Sequence, residues 1–112
     1  MFGQVGLGCL AAACGPADTI GTFAYSCNQT ANHICIDLGD GNNIATPICA
    51  NASSTPCTTM SRVGHCIVVN SNQTPPSHER INYYPNSVLL SGSPQTECSE
   101  SSLGGYPSYF SN

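Results

Sequence analysis

Apolar side chains recur at alternate positions over short stretches of this chain, and clusters of Gly, Pro, Asn, Ser and Thr separate those stretches. A period of two marks a strand with one buried face. Residues 22–27 put Phe23, Tyr25 and Cys27 on one side. Residues 33–38 put Ile34, Ile36 and Leu38 on one side and Cys35 on the other. The turn cluster Gly39-Asp40-Gly41-Asn42-Asn43 comes next, and the apolar pattern resumes from Ile44 to Cys49, so residues 33–49 read as a hairpin. The clearest strand is 62–69, which ends in the β-branched run Ile67-Val68-Val69. Two further short strands fit 80–84 and 87–90 on either side of Pro85-Asn86.

The connections are polar. Asn51 to Thr59 is a Ser/Thr/Pro loop, and Ser71 to His78 is a second loop containing Pro75-Pro76. At the N-terminus, residues 5–14 are rich in alanine and suit one short helix ended by Gly15-Pro16. A helix of that length needs its cysteines to hold it, because isolated short helices are marginal in water. The expected fold is small, disulfide-rich and mainly β: an antiparallel sheet of short strands with at most one short N-terminal helix. Residues 1–98 read as one stapled domain, and 99–112 as an aromatic, Gly/Ser-rich tail. Tyr106, Tyr109 and Phe110 either fold back over their own core, the expected arrangement for a thin core, or give the tail adhesive area against another chain.

Composition explains why a core of this kind needs help. The chain has 112 residues, no tryptophan and three phenylalanines, but eight cysteines: Cys9, Cys14, Cys27, Cys35, Cys49, Cys57, Cys66 and Cys98. An even number at this density in a short chain indicates a disulfide framework formed in an oxidising compartment. A structural zinc site needs paired thiolates two to four residues apart, with a second pair or histidines to match. Only Cys9 and Cys14 lie close, and no histidine pair accompanies them. Eight cysteines allow about 105 pairings, so spacing alone leaves the connectivity open.

Three N-x-S/T sequons, at Asn28, Asn51 and Asn72, fit an extracellular setting and would place those residues on exposed loops. The first eight residues lack the basic region of a secretory signal, so the chain reads as a mature form with its signal already removed. No apolar run is long enough for a membrane-spanning helix. The net charge is −4, lysine is absent, and Arg62 and Arg80 are the only cations besides histidine. That excludes a phosphate-neutralising surface, and nucleic acid is not an expected partner.

Candidate chemistry is sparse. His33, His65 and His78 are the histidines, and no G-x-S-x-G elbow accompanies them. Asp37 and Asp40 could act as a carboxylate pair for sugar cleavage, but no tryptophan is available for a stacking groove. The same run departs from a calcium loop, because Gly39 stands at a ligand position and no glutamate follows at the required offset. A tight turn wants these residues anyway. No catalytic residue, metal or cofactor is expected.

In length, cysteine density and Asn/Ser/Thr/Gly/Pro richness, the chain resembles the small secreted cysteine-rich proteins of fungi: effectors, killer-toxin-like proteins and hydrophobins. Gly3-Gln4-Val5-Gly6-Leu7-Gly8-Cys9 is similar to a segment of some hydrophobins. Those proteins carry two adjacent Cys-Cys pairs, whereas here Ile36 follows Cys35 and no doublet occurs. The resemblance implies a secreted, non-enzymatic interaction module that binds an extracellular protein or glycan through long loops on a rigid core. The alternative is a self-assembling subunit of a coat, wall layer or filament, in which low charge removes repulsion between copies.

Overall fold

A computed structural model describes residues 18–87, 92–99 and 107–111. Five strands, β1 (Tyr25–Gln29), β2 (Ile34–Leu38), β3 (Gly64–Asn70), β4 (Ser77–Tyr83) and β5 (Ser108–Ser111), form one sheet in the order β1-β2-β4-β3-β5. Every neighbouring pair is antiparallel. A short helix, α1 (Pro94–Ser99), and a single 3-10 turn (Thr30–Asn32) complete the described elements. The protein is thus mainly β and disulfide-rich, with one antiparallel sheet.

Cross-strand partners in an antiparallel sheet share a face, so the register sorts the side chains into two sets. On one face lie Tyr25 and Cys27 of β1, Ile36 and Leu38 of β2, Ile81 and Tyr83 of β4, Cys66 and Val68 of β3, and Tyr109 of β5. These residues supply both apolar clusters: one around Tyr25, Cys27 and Leu38, the other around Cys66, Val68, Tyr83 and the α1 residue Cys98. The opposite face carries Ser26, Cys35, Asp37, Arg80, Asn82 and His65. Every residue in the buried polar set, Ser26, Asp37, His65 and Asn82, belongs to this second face.

Among the described residues, three disulfides hold covers onto the two faces. Cys66–Cys98 fastens α1 to the apolar face, with a sequence separation of 32. Cys27–Cys49 and Cys35–Cys57 each span 22 residues and interlace. Their interlacing follows from the path of the segment between Asn43 and Val63, which wraps the outer edge of β1. It meets the apolar face at Cys49, where Ala52 also packs. It then bridges the edge through Ser26 and Ser53, which exchange two backbone hydrogen bonds of 2.8 and 2.9 Å, and reaches the polar face at Cys57. The wrap supplies the backbone partners that an open strand edge would otherwise offer to another chain.

The hairpin expected over 33–49 does not form. β2 pairs with β1 across the 3-10 turn, and residues 44–49 belong to the wrapping segment. His33 closes that turn in the left-handed region, with φ 56° and ψ 43°, and its N–H bonds to Thr30 O. The Gly/Asp/Asn cluster 39–43 has a different task. Gly39 N–H donates to His78 O, His78 N–H donates to Asp40 O, and Asp40 N–H donates to Ile20 O, which lock β2 to the start of β4 and to the incoming chain. A Cβ on Gly39 would stand 2.1 Å from Ile20 O, so only glycine permits this approach.

Elsewhere β3 forms as its β-branched run suggests, and β4 begins at Ser77, earlier than the expected 80–84, so Ser77 and His78 leave the loop for the strand. The expected N-terminal helix, Cys9 and Cys14, and most of the 87–90 strand lie outside the described residues. Within the tail, residues 108–111 are the fifth strand of the same sheet, and Tyr106 lies outside the described residues.

Candidate functional site

The polar face is closed by a buried network centred on Asp37, which is 3% exposed, and Asn82, which is 1% exposed. Asn82 Nδ2 donates to Asp37 Oδ2 and to Cys35 O, both at 3.0 Å. The other carboxylate oxygen of Asp37 accepts the Cys57 N–H at 2.8 Å, which ties the wrapping segment to the sheet. Arg62 Nη1 donates to Asn82 Oδ1 at 2.8 Å, and Arg80 Nη1 lies 3.7 Å from Asp37 Oδ2. Both arginines of the chain are therefore directed into this network rather than towards a ligand.

Beside it, where the wrap stands off the β1–β2 turn, lies a groove of about 460 Å³. Its floor is the Cys35–Cys57 disulfide. One wall is Ser53, Thr55, Pro56 and Thr58, and the other is Asn28, Thr30, His33, Ile34 and Tyr84. Two hydrogen bonds tie wall to wall. Ser26 Oγ donates to Thr55 O at 2.7 Å, and Tyr84 Oη donates to Thr58 O at 2.6 Å. Burial, and after it the Asp37 carboxylate, raises the Tyr84 pKa, with the Arg62 charge opposing. The Tyr84 phenol accordingly remains a neutral donor that keeps its ring against the wall. No Asp, Glu, Lys or Arg lines the groove. Its volume falls within the roughly 300–1,000 Å³ typical of small-ligand sites.

The remaining sequence-selected residues lie in separate places. His65 is buried, its Nε2 sits 2.7 Å from Asp18 Oδ1, and its ring stacks on Phe110 with centroids 5.2 Å apart. Its Nδ1 is buried without a hydrogen-bond partner, as is Nδ1 of His78. Tyr109 tilts against Tyr83 on the apolar face, 6.4 Å between ring centroids. Burial, with Glu97 and Tyr109 nearby, pushes the Tyr83 phenol well above its usual range. Asp40 Oδ1 caps the Thr22 N–H and so serves different partners from Asp37. Asn28, Asn51 and Asn72 are all exposed, and Asn51 Nδ2 donates to Asn28 O at 2.8 Å, so two sequons meet at the sealed β1 edge.

Among the described residues, no group of three or more His, Cys, Asp or Glu side chains stands close enough to hold a metal ion, and no helix is long and apolar enough to cross a membrane. No family model, curated protein or solved structure matches the chain. The site therefore has to be read from its own chemistry.

Alternation along β1 and β2 indicated that Ser26 and Asp37 lie opposite the apolar residues, and an outward polar face is the ordinary reading of such a pattern. What hides them is a segment 20 or more positions away in sequence, joined through Cys57. The polar residues of Asn51–Thr59 marked a loop. Only the pairing of Cys35 with Cys57 shows that this loop stands over β2 and makes a groove.

Proposed function

We propose that the protein is an extracellular, non-enzymatic binding module, and that the groove under residues 53–58 is its recognition surface. The observation behind this reading is a concavity free of Asp, Glu, Lys and Arg whose walls are fixed by a disulfide and two cross-wall hydrogen bonds. Pre-ordered walls lower the entropy lost when a ligand is held. The histidine–carboxylate pair that hydrolysis would need, His65 and Asp18, sits under Phe110 and outside the groove. Three disulfides among the described residues of so short a chain support an oxidising, extracellular setting.

The test replaces Ser53–Pro56 and Thr58 with Gly/Ser residues while keeping Cys57, and offers both proteins to arrays of extracellular glycans and extracellular protein domains. Every ligand taken by the native protein is expected to be lost by a variant whose disulfides and near-UV circular dichroism remain native. Ligands retained by that variant would place recognition elsewhere.

A second reading, self-assembly, draws on the exposed apolar side chains of the wrap: Ile48 is 66% exposed and Met60 is 77% exposed. It predicts concentration-dependent association by sedimentation. That association disappears when both residues are changed to serine.

A further inference from the structure

From the groove's lining we infer the class of ligand: a neutral oligosaccharide, held by Tyr84, His33, Asn28, Thr30, Thr55 and Thr58. The inference depends on the groove being the recognition surface, and it narrows what that surface takes. Charge is the first discriminator. No Asp, Glu, Lys or Arg lines the groove, and the arginines nearest to it are held by Asn82 and Asp37. An acidic or phosphorylated ligand would find no lysine or arginine there, with His33 the one basic side chain in the lining, and anionic groups are recognised chiefly by charge-assisted bonds to such cations. The chain's net charge of −4 opposes such ligands further. A cationic peptide would likewise meet no carboxylate, since Asp37 spends its oxygens on Cys57 N and Asn82.

Polarity is the second discriminator. Most of the groove's exposed surface is carbon, with the threonine and serine hydroxyls and the Asn28 amide set among it. A wholly apolar ligand would cover those few polar groups without replacing their hydrogen bonds, at a cost of roughly 1–3 kcal/mol per buried group. A ligand with hydroxyls on its rim and C–H groups on its ring faces avoids that cost. Threonine hydroxyls and the Asn28 amide each donate and accept, which matches sugar hydroxyls in either role. The Tyr84 ring and Pro56 offer apolar faces to the C–H side. Because the Tyr84 hydroxyl is anchored on Thr58 O, the ring is oriented before the ligand arrives.

The experiment uses ¹⁵N-labelled protein made in an oxidising bacterial periplasm, which forms the disulfides and adds no N-glycan. It is titrated with four neutral tetrasaccharides, built from glucose, mannose, galactose or N-acetylglucosamine, and with tetragalacturonate as the acidic counterpart. At least one neutral sugar is expected to shift amides confined to residues 28–35, 53–58 and 84, while tetragalacturonate shifts none of them. Tyr84→Ala is expected to weaken that binding about tenfold or more, and Tyr84→Phe, which keeps the ring, to retain it within about threefold. If Tyr84→Ala fails to fold, Asn28→Ala at an exposed position tests the same contact set. Tetragalacturonate shifts in the groove, neutral-sugar shifts elsewhere, or no shift with any of the four would overturn the inference. A protein ligand lost on exchange of residues 53–58, together with silent sugars, sinks the saccharide assignment and leaves the groove reading standing.

Discussion

The two faces of the sheet are buried by opposite means. Asp37 and Leu38 are neighbours in sequence, and both are nearly sealed from solvent, 3% and 1% exposed. Leu38 enters a cluster with Tyr25 and Cys27, where contact alone is needed. Asp37 enters a set of directed bonds in which each oxygen has a named donor. Apolar packing tolerates adjustment of a side chain, whereas a buried carboxylate tolerates the loss of none of its partners. The face that must hold a shaped groove is the one built from directional interactions. That is a reason for a chain so poor in charge to commit both arginines there.

The largest effect separating the faces should come from Asp37→Ala. It leaves Asn82 Nδ2, Cys57 N–H and Arg80 short of an acceptor, and removing one partner of a buried charged network costs about 3–5 kcal/mol. Urea unfolding with disulfides intact measures it. A loss below about 1 kcal/mol would mean that sulfur alone closes the polar face.

The two interlaced disulfides give a matched pair for the next comparison, because both span 22 residues. In the chain-entropy description their removal costs roughly the same, about 3 kcal/mol each. Cys27→Ala/Cys49→Ala and Cys35→Ala/Cys57→Ala should therefore lose similar stability. They should differ in function. The first pair leaves the groove's walls tied, and the second removes its floor and frees Thr55 and Thr58 to move. Groove-directed ligand binding, followed by the amide shifts of residues 53–58, is expected to survive the first change and disappear with the second. Equal loss in both would mean that the wrap acts as one body.

These pairs also show what the amino-acid order reveals and what it conceals. The strand at 64–70 was legible because a β-branched run favours extended backbone wherever it lies. The β1–β2 hairpin was concealed because its turn, Thr30-Ala31-Asn32-His33, contains no glycine and bends through a histidine in the left-handed region. The stronger turn signal at 39–43 was spent on a long-range junction with Ile20 and His78. The groove was illegible for a deeper reason. It exists only because Cys57 returns to Cys35, and sequence spacing does not choose among pairings.

A third comparison concerns the sequons. Asn28 lines the groove, whereas Asn72 lies in the β3–β4 connection and is not among the lining residues. A glycan on Asn28 would crowd the mouth of the groove. Protein secreted with Asn28 occupied is expected to lose ligand binding at least several-fold relative to the same chain made without N-glycans in the bacterial periplasm, and Asn72→Gln should change nothing. Mass spectrometry of each preparation, with binding measured alongside, checks this. Unchanged binding with Asn28 fully occupied would show that the ligand enters from the opposite end.

The smallest expected effect contrasts the two carboxylates directly. Glu79 lies on the apolar face, opposite Leu38 on one side and Val68 on the other. Burial raises its pKa from 4.5, the reverse of what a well-partnered carboxylate shows. The sign of the consequence follows from proton counting. Below the unfolded value both states hold the proton, and Glu79 contributes no pH dependence. Between that value and the raised folded one, the native state holds a proton that the unfolded chain has released. Stability therefore falls as pH rises through this window and stays lower above it. Glu79→Gln removes the titration, so it should raise the urea midpoint near neutral pH and leave it close to the native value at about pH 4. The other carboxylates titrate identically in both proteins and cancel from the difference. A gap of the same size at both pH values would assign the effect to packing. A variant less stable at neutral pH would show that the Glu79 charge has a favourable partner, which would bring the apolar face closer in kind to the polar one.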